Sequence, residues 1–105
     1  MLRLVKVSFS LLVIGIFSSS AFAFCTCSKS FTDGVARISC SENGTSNYSV
    51  EFDWSVNTQA GVCKEHGKGL RLHRNDKNKV IFSSSKCQGH KIIGIGNLST
   101  KCTAQ

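Results

Sequence analysis

No proline occurs anywhere in the 105 residues, so nothing of that kind interrupts an extended segment. Internal repeats are missing too, and so is any low-complexity tract after the N-terminal segment. Acidic residues are scarce, six Asp and Glu against 13 Lys and Arg. No spacing of cysteine with histidine fits a zinc site, and Cys25-x-Cys27 is too tight for one, which argues against a structural metal. The one apolar run, Val7–Phe17, is shorter than the about 20 residues that a spanning helix needs. Arg3 and Lys6 precede that run and Ala21-Phe22-Ala23 follows it. A basic start, a short apolar stretch and an A-x-A site predict a secretory signal peptide over residues 1–23.

Residues 24–105 are then expected to form a single secreted domain. A chain this short buries only roughly 60–65% of the surface its unfolded form exposes, so its core alone is marginal. The cysteines fit that shortfall. Cys25, Cys27, Cys40, Cys63, Cys87 and Cys102 all follow the cleavage site, and an even number in a small secreted chain predicts disulfides. Spacing alone leaves all 15 connectivities open. Asn43, Asn47 and Asn97 each begin an N-x-[ST] sequon and are candidate glycan acceptors. Without Arg3 and Lys6 the basic residues number 13 − 2 = 11, and against six acidic ones the net charge is +5. The excess concentrates in KEHGKGLRLHRNDKNK, residues 64–79, which suits phosphates or acidic surfaces, or a solvated loop that keeps the protein soluble.

The clearest element is NYSVEFDWSV, residues 47–56, where aromatic and β-branched residues alternate strictly with polar ones. That period of two marks a half-buried strand, with Glu51 and Asp53 on its polar face and Trp54 in the core. LRLHR (70–74), KVIFSS (79–84) and HKIIGIGN (90–97) read as further strands. Gly94 and Gly96 signal a bulge or a close backbone approach. Upstream, Thr32 or Asp33 can cap a helix carrying Val35, Ala36 and Ile38, with Asn43-Gly44 to end it. A strand at Val35–Cys40 competes. The expectation is an α+β domain, one short helix on a small antiparallel sheet stapled by disulfides.

FDWSV, residues 52–56, resembles the central-strand motif of the small secreted guanyl-specific ribonucleases of fungi. KVIFSSSKCQGHKIIGIGNLSTKC, residues 79–102, is similar to their closing segment of strand, turn, Gly-Val-Ile strand and last cysteine. The resemblance implies a ribonuclease-like fold. It also implies a bond from Cys25 or Cys27 to Cys102, worth up to about 4.5 kcal/mol in the chain-entropy model. The family cleaves RNA with a glutamate base, a histidine acid, an arginine and a further His or Tyr. An ungapped carry-over puts Gly44 at the first-strand histidine, Val62 at the glutamate and Gly96 near the closing histidine. Lys79 falls at the arginine, keeping the charge and losing the bidentate fork.

A ribonuclease scaffold without its catalysts resembles the ribonuclease-like effectors of plant-pathogenic fungi. That resemblance implies a monomeric virulence protein with no cofactor and no catalysis, entering host cells and binding host RNA or a host protein. Some members of that group are recognised by plant immune receptors. Arg71, Arg74, Lys77 and Lys79 are the candidates for RNA backbone contact. Two other functions fit the same composition. One is a cationic antimicrobial or killer-toxin-like protein. The other is an active ribonuclease, which requires His66, His73 or His90 to approach a carboxylate.

Overall fold

The computed structural model describes residues 25–105, so the expected signal peptide lies outside the described residues. Seven strands follow in order: β1 (Cys25–Thr32), β2 (Val35–Glu42), β3 (Tyr48–Thr58), β4 (Gly61–Leu72), β5 (Lys79–Ser84), β6 (Lys86–Cys87) and β7 (His90–Ala104). All pairings are antiparallel. They build a three-stranded sheet in the order β1-β2-β5 and a four-stranded sheet in the order β4-β3-β7-β6. β1 packs against β7 and β5 against β4, so the two sheets face each other across one core.

The expected helix is not there, and among the described residues the fold is all-β rather than α+β. Residues 35–42 are β2, the competing strand. Asp33 and Gly34 both take positive φ (54° and 76°), which is what a two-residue β-hairpin turn requires. Beyond the turn Ala36, Ile38, Cys40 and Glu42 point inward and are all buried. Their period of two is hard to see in the sequence, because a small residue, a cysteine and an acid stand where aliphatics would announce it. The helix-on-sheet layout implied by the ribonuclease resemblance goes with the helix.

β3 is the strand the sequence announces, and it is central. Its inward set, Tyr48, Val50, Phe52, Trp54 and Val56, is at most 3% exposed. Ile38, Leu72 and Ile92 join them, and Phe82 sets its ring 4.8 Å from that of Phe52. Each large apolar side chain so buried contributes about 1.5–3 kcal/mol, and this set is the main source of stability. Trp54 is therefore core, with its indole N–H donated to the Gly96 carbonyl at 3.3 Å. Among the described residues the Tyr48 hydroxyl is buried without a partner.

LRLHR is only the end of a longer strand, since β4 begins at Gly61. The glycines at 67 and 69 hide it. A Cβ on Gly67 would lie 2.2 Å from the Phe52 ring, so glycine lets β4 cross over that aromatic. Opposite Glu51 the pairing shifts register, and Gly69 with φ of +74° absorbs the irregularity.

Three disulfides hold the layers. Cys25–Cys102 ties β1 to β7 across the sandwich, Cys27–Cys40 joins directly opposed residues of β1 and β2, and Cys63–Cys87 joins β4 to β6. Of the two partners implied for Cys102, Cys25 is the one. β4 and β6 are the outer strands of their sheet, and in a flat sheet they would stand about 14 Å apart. Their cysteine Cα atoms are 6.3 Å apart, so the sheet curls. A small chain stapled in this way is compatible with secretion. Among the described residues no helix is long and apolar enough to cross a membrane.

Candidate functional site

Two polar clusters stand out, the first between the two sheets and the second on the four-stranded sheet. The first lies beyond the ends of β2 and β4, where the loops 43–47 and 73–78 meet. Glu42 is 1% exposed, and among the described residues its carboxylate forms no ion pair. Its carboxylate accepts hydrogen bonds from the backbone N–H groups of Gly44, Thr45, Ser46 and Asn75 and from the Thr45 hydroxyl. Burial works against the charge, but these donors outweigh it and bring the pKa down to about 2. One ionised acid thus supplies the acceptors that both loops need.

Backbone bonds complete the fastening. Glu42 N–H donates to the Asp76 carbonyl at 2.8 Å, and Lys77 Nζ donates to the Glu42 carbonyl at 2.6 Å. The Asp76 carboxylate accepts from the His73 N–H at 2.7 Å, which with Lys79 at 3.6 Å holds its pKa below the usual range despite partial burial. Asn75 and Asn78 adopt φ of 69° and 50°, a left-handed region that asparagine tolerates better than most residues. Of the four sequence-predicted basic residues, Lys77 and Lys79 are committed to this fastening. Arg71 and Arg74 are exposed and carry no ion pair among the described residues.

The second cluster is on the outer face of the four-stranded sheet. Register places His66 beside Asp53 and Asp53 beside Ser99, and in the next row Lys64 beside Ser55. β7 bulges between Leu98 and Ile95, so that Gly96 and Asn97 together oppose Ser55 and Asn97 is exposed on this face. The Gly96 carbonyl is fixed by Trp54 and by Lys29 Nζ from β1. His66 Nδ1 lies 2.9 Å from Asp53 Oδ1, and its Nε2 lies 3.7 Å from Glu51. A carboxylate can only accept, so Nδ1 carries the proton. An open dish of about 420 Å³ covers this block, its floor completed by Trp54, Glu65 and Leu98. Burial raises the pKa of Glu65.

The histidines separate accordingly. His66 meets two carboxylates, His73 lies 3.6 Å from Asp76 in the basic loop, and His90 opens β7 opposite Cys87. All three sequon asparagines are exposed, Asn43 and Asn47 beside the Glu42 cluster and Asn97 in the dish. The Sγ atoms of Cys25, Cys27 and Cys102 lie close together, but each is in a disulfide and is unavailable as a metal ligand. Comparison with protein families, with characterised proteins and with solved structures finds none that matches the chain.

Proposed function

We propose that the chain is a secreted, non-enzymatic binding protein of effector type, which uses the loop after β4 to engage an acidic surface on a host protein. The observation that carries this reading is preorganisation. Glu42 and Asp76 hold loop 73–78 in a defined shape and leave Arg71 and Arg74 unpaired on its rim. A basic surface fixed before the encounter loses little entropy on binding, and its charge speeds association. RNA is the weaker partner here. Tyr48 and Trp54 are buried, and the large apolar residues exposed among the described residues are Val62, Val80 and Ile93, none of which can stack on a base.

The test titrates the oxidised protein into labelled poly-glutamate and, separately, labelled single-stranded RNA, at low and high salt. Salt-sensitive binding to poly-glutamate that is lost in an Arg71→Glu, Arg74→Glu double variant supports the proposal. Preference for RNA moves the reading to a nucleic-acid partner, and binding to neither overturns it. The RNA is also run on a gel. Cleavage abolished by His66→Ala would make the protein an enzyme, because His66 meets two carboxylates where His73 meets one.

A further inference from the structure

We propose that the dish on the outer face of the four-stranded sheet is a saccharide-binding site. Six side chains set its chemistry. Across the sheet run two rows, His66–Asp53–Ser99 and Lys64–Ser55–Asn97. Neighbours on adjacent strands stand about 5 Å apart and neighbours along a strand about 7 Å, so the six cover about 10 by 7 Å. That is the footprint of one pyranose ring with part of a second.

The chemistry of the rows is mixed at every step. Lys64 and the Asn97 amide nitrogen donate, the free oxygen of Asp53 accepts, and the hydroxyls of Ser55 and Ser99 do either. His66 donates its Nδ1–H to Asp53, which orients the carboxylate, and its Nε2 lies 3.7 Å from Glu51. A sugar hydroxyl also donates and accepts, so vicinal hydroxyls match this alternation of partners. Other ligand classes match it less well. An anion placed on Lys64 would face the Asp53 carboxylate in the neighbouring row. An apolar ligand would strip water from six polar groups and return no hydrogen bonds. A nucleobase finds only the His66 imidazole to stack on, since Trp54 is 1% exposed.

The bulge supports a built site rather than an accident of a polar surface. Without the extra residue β7 would keep its alternation through this stretch, and Asn97 and Ser99 could not both face outward beside Ile95 facing in. Two bonds to the Gly96 carbonyl, from the buried Trp54 and the exposed Lys29, hold that bulge. Bulges of this kind re-aim a side chain toward a site.

Asn97 and Ser99 also form a sequon, and a glycan there would cover the dish. The test therefore uses oxidised, isotope-labelled protein made in a host without N-glycosylation. Cellotriose, chitotriose and mannotriose are titrated separately, and backbone amide shifts are followed by NMR. Saturable shifts confined to residues around Ser55, Asn97 and Ser99, insensitive to salt, are expected with at least one of the three. Asp53→Asn is expected to weaken that binding at least about tenfold, the loss of one hydrogen bond to a charged group. Ser99→Ala, a smaller change on an exposed residue, is expected to weaken it less. No shift with any of the three up to about 10 mM, a range weak enough to include millimolar sites, overturns the proposal. So do shifts that persist unchanged in both variants, and so does displacement of the sugar by inorganic phosphate. Arg71→Glu, Arg74→Glu leaves the sugar titration unchanged, so this site and the basic loop fail or stand separately.

Discussion

Glu42 and Asp53 are both carboxylates on neighbouring parts of one small β-sandwich, and they do opposite things. Glu42 points inward from β2, is almost completely buried, and gives its acceptor capacity to backbone N–H groups and one hydroxyl of its own chain. Asp53 points outward from β3 with a 73% exposed side chain, holds His66 through one oxygen and has the other to spare. A polar cluster whose hydrogen-bonding capacity is consumed internally fastens structure. One with capacity left over, open to solvent, is available to a ligand. The distinction separates the loops around Glu42, which fix the basic rim proposed to bind a partner, from the dish around Asp53, whose own groups are the proposed surface.

The fastened end can be broken from two sides. Removing the disulfide that spans it, with Cys25→Ser and Cys102→Ser together, should cost most, about 4.5 kcal/mol for a link between residues 77 apart. Urea unfolding followed by Trp54 fluorescence measures it. Breaking the carboxylate is the next largest. In Glu42→Gln one oxygen becomes an amide nitrogen that meets N–H donors, and Tm at neutral pH should fall on the order of 5–10 °C. The acid limb gives a second readout. The pKa of Glu42 falls on folding from 4.5 to about 2, so its stabilisation is fully present above pH 4.5 and is lost as pH drops toward 2. The wild type should lose stability through that window, and Glu42→Gln should lose less. Asp76, whose pKa is also lowered, leaves a residual slope. Parallel curves for the two proteins would show that Glu42 is not the fastener.

Much of this contrast was hidden in the sequence, for a physical reason. β3 is legible because its inward residues are large and apolar. β5 is legible because KVIFSS is short and strongly β-forming, and its bounds agree with the strand. β2 carries the same alternation with Ala, Cys and Glu inside, which reads as a partial helical stripe. Glu42 itself gives no signal, since acids are rarely buried and its partners come from loop backbone that sequence does not place. Glu51 and Asp53 can be assigned to a polar face from β3 alone. Their meeting with His66 cannot, because Gly67 and Gly69 read as a loop while they form the strand that brings His66 alongside. A crossing over Phe52 needs glycine, and the same residue disguises the crossing. The basic residues Arg71 to Lys79 were legible as a group, but which of them are free depends on Glu42 and Asp76.

The open cluster allows the sharpest test, because the expected effect on folding is close to nothing. Asp53 and His66 are exposed, and the ion pair between such groups is worth little once water competes for both. Asp53→Asn should therefore change unfolding free energy by no more than about 0.5 kcal/mol, and His66→Gln likewise. Urea titrations of the two variants beside Glu42→Gln place the two carboxylates on one scale. If Asp53→Asn proves as damaging as Glu42→Gln, the outer cluster is holding β3 to β4, and its polar groups are committed to the fold rather than free for a ligand. If it is silent in folding yet weakens sugar binding tenfold, the same carboxylate has been separated from stability and tied to recognition. Only the second result keeps the contrast between the two ends of the molecule intact.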